Sequence, residues 1–146
     1  MWATLGSAGT GSDYSYCWGG LSSIDLATDG EDLYAIYSSP GAGGKFQVSK
    51  IHSGTLAILS TATAPTGMKA SYSNAFIACG VLYGIEKFYE DTTISYAWEF
   101  GTSTEWDPGV FWDVFSYFSS AQYSSVYDTI YAYDGGRLLT LTPTWE

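Results

Sequence analysis

The stretch IDLATDGEDLYAIYSSPGAGGKFQVSKIHSGTLAIL, residues 24–59, decides the fold. Ile24-Asp25-Leu26-Ala27 meets the turn Asp29-Gly30-Glu31-Asp32, and Leu33-Tyr34-Ala35-Ile36-Tyr37 follows as a second apolar segment. A Gly-, Ser- and Pro-rich loop, Ser38–Gly44, ends it. Phe46-Gln47-Val48-Ser49-Lys50-Ile51 then alternates apolar and polar residues, the period of a half-buried strand. The turn at Ser53-Gly54 hands over to Leu56-Ala57-Ile58-Leu59. Flat rings and β-branched side chains suit a pleated surface, and Gly, Pro and Ser supply the bends between. Four strands in about 40 residues, joined by tight turns, make one antiparallel meander of the size of a propeller blade.

The same phrase returns further along the chain. After a loop expected around Pro65-Thr66-Gly67 come Asn74–Cys79 and Val81–Ile85, then Thr93–Trp98 and the aromatic stretch Val110–Val114. A third unit opens at Ser120-Ala121-Gln122-Tyr123, continues through Thr129–Tyr133, turns at Asp134-Gly135-Gly136 and ends on Leu138–Leu141. No helical stripe and no linker interrupts the pattern, so residues 1–146 read as a single all-β domain, a β-propeller of about three four-stranded blades per chain. The third unit is short by one outer strand. Trp2–Leu5 reads as a short strand without a unit of its own, ahead of a Gly- and Ser-rich loop. Propeller rings typically need four to eight blades, so three leave open flanks.

Composition excludes several function classes. Aromatics make up 18% of the 146 residues and charged residues only 14%, too apolar for intrinsic disorder. Five basic residues against fifteen acidic ones give a net charge of −10, unsuited to neutralising nucleic-acid phosphates. The acidity suits solubility, divalent cations or basic partners. No apolar run approaches the roughly 18 residues of a membrane span. Met1-Trp2-Ala3-Thr4 has neither the basic region nor the apolar stretch of a signal peptide, so a secreted protein would be present here as a mature form or a portion. The single histidine, His52, excludes a multi-histidine metal site and sits in a turn-like Ile51-His52-Ser53-Gly54, a poor place for a triad. Cys17 and Cys79 are the only cysteines, enough for one disulfide but for no cysteine-based zinc site.

Asp25 is a carboxylate within an otherwise apolar strand, expensive to bury unless paired or coordinated. It could instead face a wet channel, cap a turn through its own backbone, or touch a partner. Asn74 is the only asparagine and stands where an inner strand starts.

The run Tyr16-Cys17-Trp18-Gly19-Gly20, followed by Ile24-Asp25-Leu26-Ala27-Thr28-Asp29, resembles the olfactomedin domain. The resemblance is strongest at Asn74-Ala75-Phe76-Ile77-Ala78-Cys79-Gly80-Val81-Leu82-Tyr83. It continues through Ile94-Ser95-Tyr96-Ala97-Trp98 to Ile130-Tyr131-Ala132-Tyr133-Asp134. It covers about the C-terminal three-fifths of a domain whose full form is a five-bladed propeller. It implies an extracellular protein without catalysis, with calcium in a central channel. The implied ligands are the Asp25 carboxylate, the Asn74 amide and the Ala75 and Ala121 carbonyls, with Gln122 where the family has an aspartate. That departure removes a charge, and calcium affinity follows charge count. The resemblance also pairs the cysteine at Cys79 with one nearer the domain's start, and Cys17 stands where the family commonly has Ser. Cys79 is then either bridged to Cys17, worth roughly 4 kcal/mol on the chain-entropy model, or a buried free thiol.

The function expected is an extracellular protein-interaction or self-assembly module. Its open flanks predict a homodimer, two copies closing a six-bladed ring by exchanging Trp2–Leu5, or a larger assembly. The alternative is a glycan-binding propeller that stacks sugars on Glu105-Trp106-Asp107-Pro108 and Phe111-Trp112, though core packing accounts for most such rings. A glycosidase would need two carboxylates at a set separation, and no pair stands out.

Overall fold

A computed structural model describes residues 4–5, 8–9, 14–17, 23–89, 91–112 and 117–145. Trp18-Gly19-Gly20, Asp113 and Val114 lie outside these, as do the first two residues of the expected strand Trp2–Leu5. Thr4 and Leu5 are not in a strand. The described residues hold twelve strands, no α-helix, and short 3-10 turns that include Pro40–Ala42 and Lys69–Ser71.

The strands form three antiparallel sheets. Sheet I runs β1 (Ile24–Asp29), β2 (Asp32–Tyr37), β3 (Lys45–Ile51), β4 (Ile58–Met68), each beside the next. Sheet II runs β5 (Asn74–Ala78), β6 (Val81–Ile85), β7 (Thr92–Glu99), β8 (Thr104–Trp106), with β9 (Val110–Trp112) also pairing β7. Sheet III has β10 (Phe118–Ser124), β11 (Thr129–Asp134) and β12 (Arg137–Leu141). The turn of β5 into β6 shows why the pattern is so regular. Ala78 pairs with Val81, so Cys79 and Gly80 alone make the bend, at φ of 52° and 76°. Two successive positive φ values match the right-handed twist of the flanking strands.

β5 carries the architecture. Its five residues NAFIA are all buried, and alternation sends them to opposite sides. Ala75 and Ile77 join a core with Tyr34, Phe46, Leu82 and Trp98 between sheets I and II. Phe76 and Ala78 join another with Ile94, Phe118, Tyr123 and Ile130 between sheets II and III. Sheet II is therefore covered on both faces, which is why β5 reads as an unbroken apolar run. Sheet III is covered on one face, and sheet I is open on its outer face along β1, although Ala35, Tyr37 and Ser49 on that same face are buried. Along β1, Ala27 is buried while Ile24 and Leu26 are 43% and 52% exposed. On sheet III, Ile130 and Ala132 are buried while Tyr133 and Leu138 are 47% and 70% exposed.

Two expectations need correction. The loop around Pro65-Thr66-Gly67 is part of β4, an 11-residue strand. Gln47 pairs with Thr63 but Lys45 with Met68, so the strand bulges there. β4 lies at a sheet edge, and a proline without N–H is tolerated at an edge bulge. Glu105-Trp106, expected in a loop, lies in β8, paired with Trp98 and Ala97.

Candidate functional site

The first strand of each sheet, β1, β5 and β10, meets the other two along a common axis. The residues singled out for calcium sit on these three strands. Asn74 bridges β5 to β10: its Nδ2 donates to the Ser119 carbonyl at 3.2 Å, and its Oδ1 accepts from the Ala121 N–H at 3.4 Å. Gln122 bridges β10 to β1, its Nε2 donating to the Leu26 carbonyl at 2.9 Å. A second bond joins the same two sheets, from the Gly30 N–H to Ser125 Oγ at 3.0 Å. Asp25 accepts from the Leu26 N–H at 2.9 Å and from the Tyr16 hydroxyl at 3.2 Å. That hydroxyl also lies against the Ala75 backbone amide. One chain of polar contacts thus runs through Asp25, Asn74, Ala75, Ala121 and Gln122 or their immediate neighbours.

Two further residues belong to this site and were not singled out from sequence. Tyr16 is buried beneath Asp25, and the Lys69 ammonium lies 3.8 Å from the centre of its ring while donating to the Tyr14 carbonyl at 3.3 Å. Burial raises the Asp25 carboxyl above its ordinary value, opposed by the Leu26 amide, the Tyr16 hydroxyl and Lys69. Burial lowers Lys69 to about 8, opposed by the Asp25 charge. Burial and the Asp25 carboxylate push the Tyr16 hydroxyl up. The signal available in sequence was Lys69 itself, one of five basic residues, standing five positions before Asn74.

The donor set is oxygen-only, which suits a hard cation such as calcium, but it supplies one carboxylate. Among the described residues no three His, Cys, Asp or Glu side chains converge. His52 serves its turn, its Nδ1 accepting from the Gly54 and Thr55 N–H groups at 3.1 Å each.

The expected bridge is absent: Cys17 and Cys79 are both free thiols, and Cys79 is exposed rather than buried. Cys79 occupies the β5–β6 bend, which points it outward, and the Cys17 N–H is tied instead to the Tyr72 carbonyl at 2.8 Å.

The aromatic residues expected to stack sugars have separate placements. Trp106, Pro108 and Phe111 line a cleft of about 700 Å³ between sheets II and III. The Trp112 side chain lies outside the described residues. No helix among the described residues is long and apolar enough to cross a membrane.

A family model, the olfactomedin-like domain, matches residues 1–146. The chain is 33% identical to myocilin of Canis lupus familiaris over 135 residues, covering 91% of this chain and 28% of that protein. It is 32% identical to myocilin of Homo sapiens over 135 residues, covering 91% and 27%. The chain therefore spans a little over a quarter of the length of these relatives. Matched along its whole length by that model, the chain belongs to the olfactomedin-like domain family.

Proposed function

We propose that the chain is an extracellular, non-catalytic protein-interaction and self-assembly module, a single domain whose three sheets act as three blades of a propeller. The observation that carries this reading is the pair of apolar flanks. Ile24 and Leu26 on sheet I, and Tyr133 and Leu138 on sheet III, stand exposed on the faces turned away from sheet II. Covering such surface is worth about 25 cal/mol per Å² of apolar area. Like surfaces on a second copy related by a two-fold axis are the simplest cover, since an isologous contact closes and a heterologous one propagates. Light scattering at micromolar concentration is expected to give twice the chain mass. A monomer under those conditions would overturn self-assembly through the flanks.

Calcium is the ion proposed for the axis, held by Asp25, Asn74 and Gln122 side chains with the Ala75 and Ala121 carbonyls. One carboxylate makes the affinity weak. Calcium is expected to raise the melting temperature of the wild type, not at all that of Asp25→Asn, and at lower concentration that of Gln122→Asp. An unchanged calcium response in Asp25→Asn would refute the assignment.

A further inference from the structure

The cleft between sheets II and III has a volume of about 700 Å³ and a lining rich in aromatic side chains. Its floor is the inter-sheet core itself, Phe76, Ile94 and Ile130, and its walls are Trp106, Phe111 and Trp145. Those three wall residues are 42%, 67% and 43% exposed, so large apolar surface faces the opening. A clustered, concave apolar patch of this kind marks a binding site, whereas single exposed rings do not.

One wall is built. The indole N–H of Trp145 donates to Asp128 Oδ1 at 3.0 Å, and the Tyr123 hydroxyl donates to the same oxygen at 2.9 Å. The Trp145 ring packs edge-on against Tyr123 at 5.6 Å and lies 6.2 Å from Tyr83. These contacts fix the Trp145 ring between Tyr123 of sheet III and Tyr83 of sheet II, at one wall of the cleft.

The chemistry of the lining selects the ligand. In a chain of net charge −10, no described residue lining the cleft is charged. An anion entering it would lose its hydration without gaining a partner, and a hard metal cation would meet no carboxylate among the described lining residues. A sugar would also lose more hydrogen bonds than the lining can return. The polar side-chain groups beside the rings are few: the Thr142, Thr144 and Tyr83 hydroxyls and the Trp106 indole N–H, the Trp145 N–H being already committed. The volume, about 700 Å³, is that of a drug-sized ligand. We propose that this cleft binds an uncharged, largely apolar molecule with planar or fused rings, stacked between Trp106, Phe111 and Trp145, its few hydroxyl or carbonyl groups meeting Thr142 and Thr144.

The proposal is tested with Nile red, an uncharged apolar dye, titrated against the full chain. One dye per chain is expected, with blue-shifted emission, displaced by the neutral steroid progesterone and not by maltohexaose. Phe111→Ala and Val110→Asp, both at exposed positions, should each weaken binding about tenfold or more, and Leu138→Ala on the open flank should leave it unchanged. Circular dichroism confirms that each variant is folded. Sensitivity to Leu138→Ala but not to Phe111→Ala would place the dye on the flank and overturn the assignment. Displacement by the oligosaccharide alone would make the cleft a glycan site, and loss of dye binding as protein concentration rises would make it a surface covered by a second copy. Either result refutes the proposal, as does the absence of binding to the folded wild type.

Discussion

The two sheet-to-sheet interfaces of the molecule are built from the same strand, β5, yet one is sealed and the other gapes. Between sheets I and II, Phe46 stacks on Tyr96 at 5.8 Å and 11°, and Tyr72 packs against both at 5.5 and 5.4 Å. The outer rim is then locked by Glu105 on β8, which accepts from the Thr66 N–H at 2.9 Å, the Thr66 hydroxyl at 2.7 Å and the Tyr96 hydroxyl at 2.6 Å. Gly67 is required here, because a Cβ on it would stand 2.2 Å from the Tyr96 ring. Between sheets II and III the core ends earlier and the rim is the 700 Å³ cleft. The lesson is that an apolar run on one strand fixes the pairing of sheets, while closure at the rim depends on a few polar residues outside that run.

The largest expected effect breaks the sealed side. Trp98 is fully buried in the core shared by sheets I and II. Trp98→Ala should cost about 3–5 kcal/mol by urea denaturation, from lost transfer and the cavity left behind. Phe111→Ala on the open side, a comparably large truncation, should stay within about 0.5 kcal/mol. Similar losses at both positions would mean that the interfaces are equivalent.

A second test sharpens the contrast through pH. Lys69 lies at the inner end of the sealed side, and its folded value is about 8 against an ordinary 10.5. Between those values the unfolded chain holds the extra proton, so stability should rise with pH across that window. Lys69→Met should remove that rise. A slope retained in the variant would assign it to another group.

The smallest effect concerns the rim. Glu105→Gln keeps the shape but weakens four charge-assisted bonds, the fourth from the Gly67 N–H at 3.3 Å, and at this partly exposed position the cost should be about 1 kcal/mol. Its hydrogen-bond partners hold the Glu105 carboxyl below 4.5. The unfolded carboxyl therefore takes up its proton first as pH falls, and the wild type loses this advantage below that value. Stability profiles of the two proteins should converge in acid, and parallel profiles would show that the carboxylate charge does not matter.

What could be read from sequence follows the same division. β5 was legible as NAFIA because burial on both faces makes a strand apolar nearly throughout, β2 likewise as an apolar segment, and β3 by its alternation. β4 was cut short at Pro65 because a proline breaks most ladders, and the bulge that tolerates it depends on the distant Glu105, Thr66 and Gly67 contacts. β8 has three residues, too few to show a period. Asp25 and Asn74 were visible as polar residues in apolar strands. Tyr16 and Lys69 were not, because their role comes from packing on one another, 53 positions apart by number, and no local pattern encodes that meeting. The outward thiol of Cys79 follows from the tightness of its bend, which sequence marked as strand.

The Gln122-to-Leu26 and Gly30-to-Ser125 bonds set a threshold on growth. Both span sheets I and III, so a ring of six sheets has to open them before it can admit a neighbour, whereas a pair of chains docked flank to flank does not. Each is worth about 1 kcal/mol net, and together they handicap the widened ring by roughly thirtyfold per chain. The tie within one chain acts at a fixed effective concentration, while a second copy must supply its own. Assembly that widens the ring is thereby confined to high local concentration.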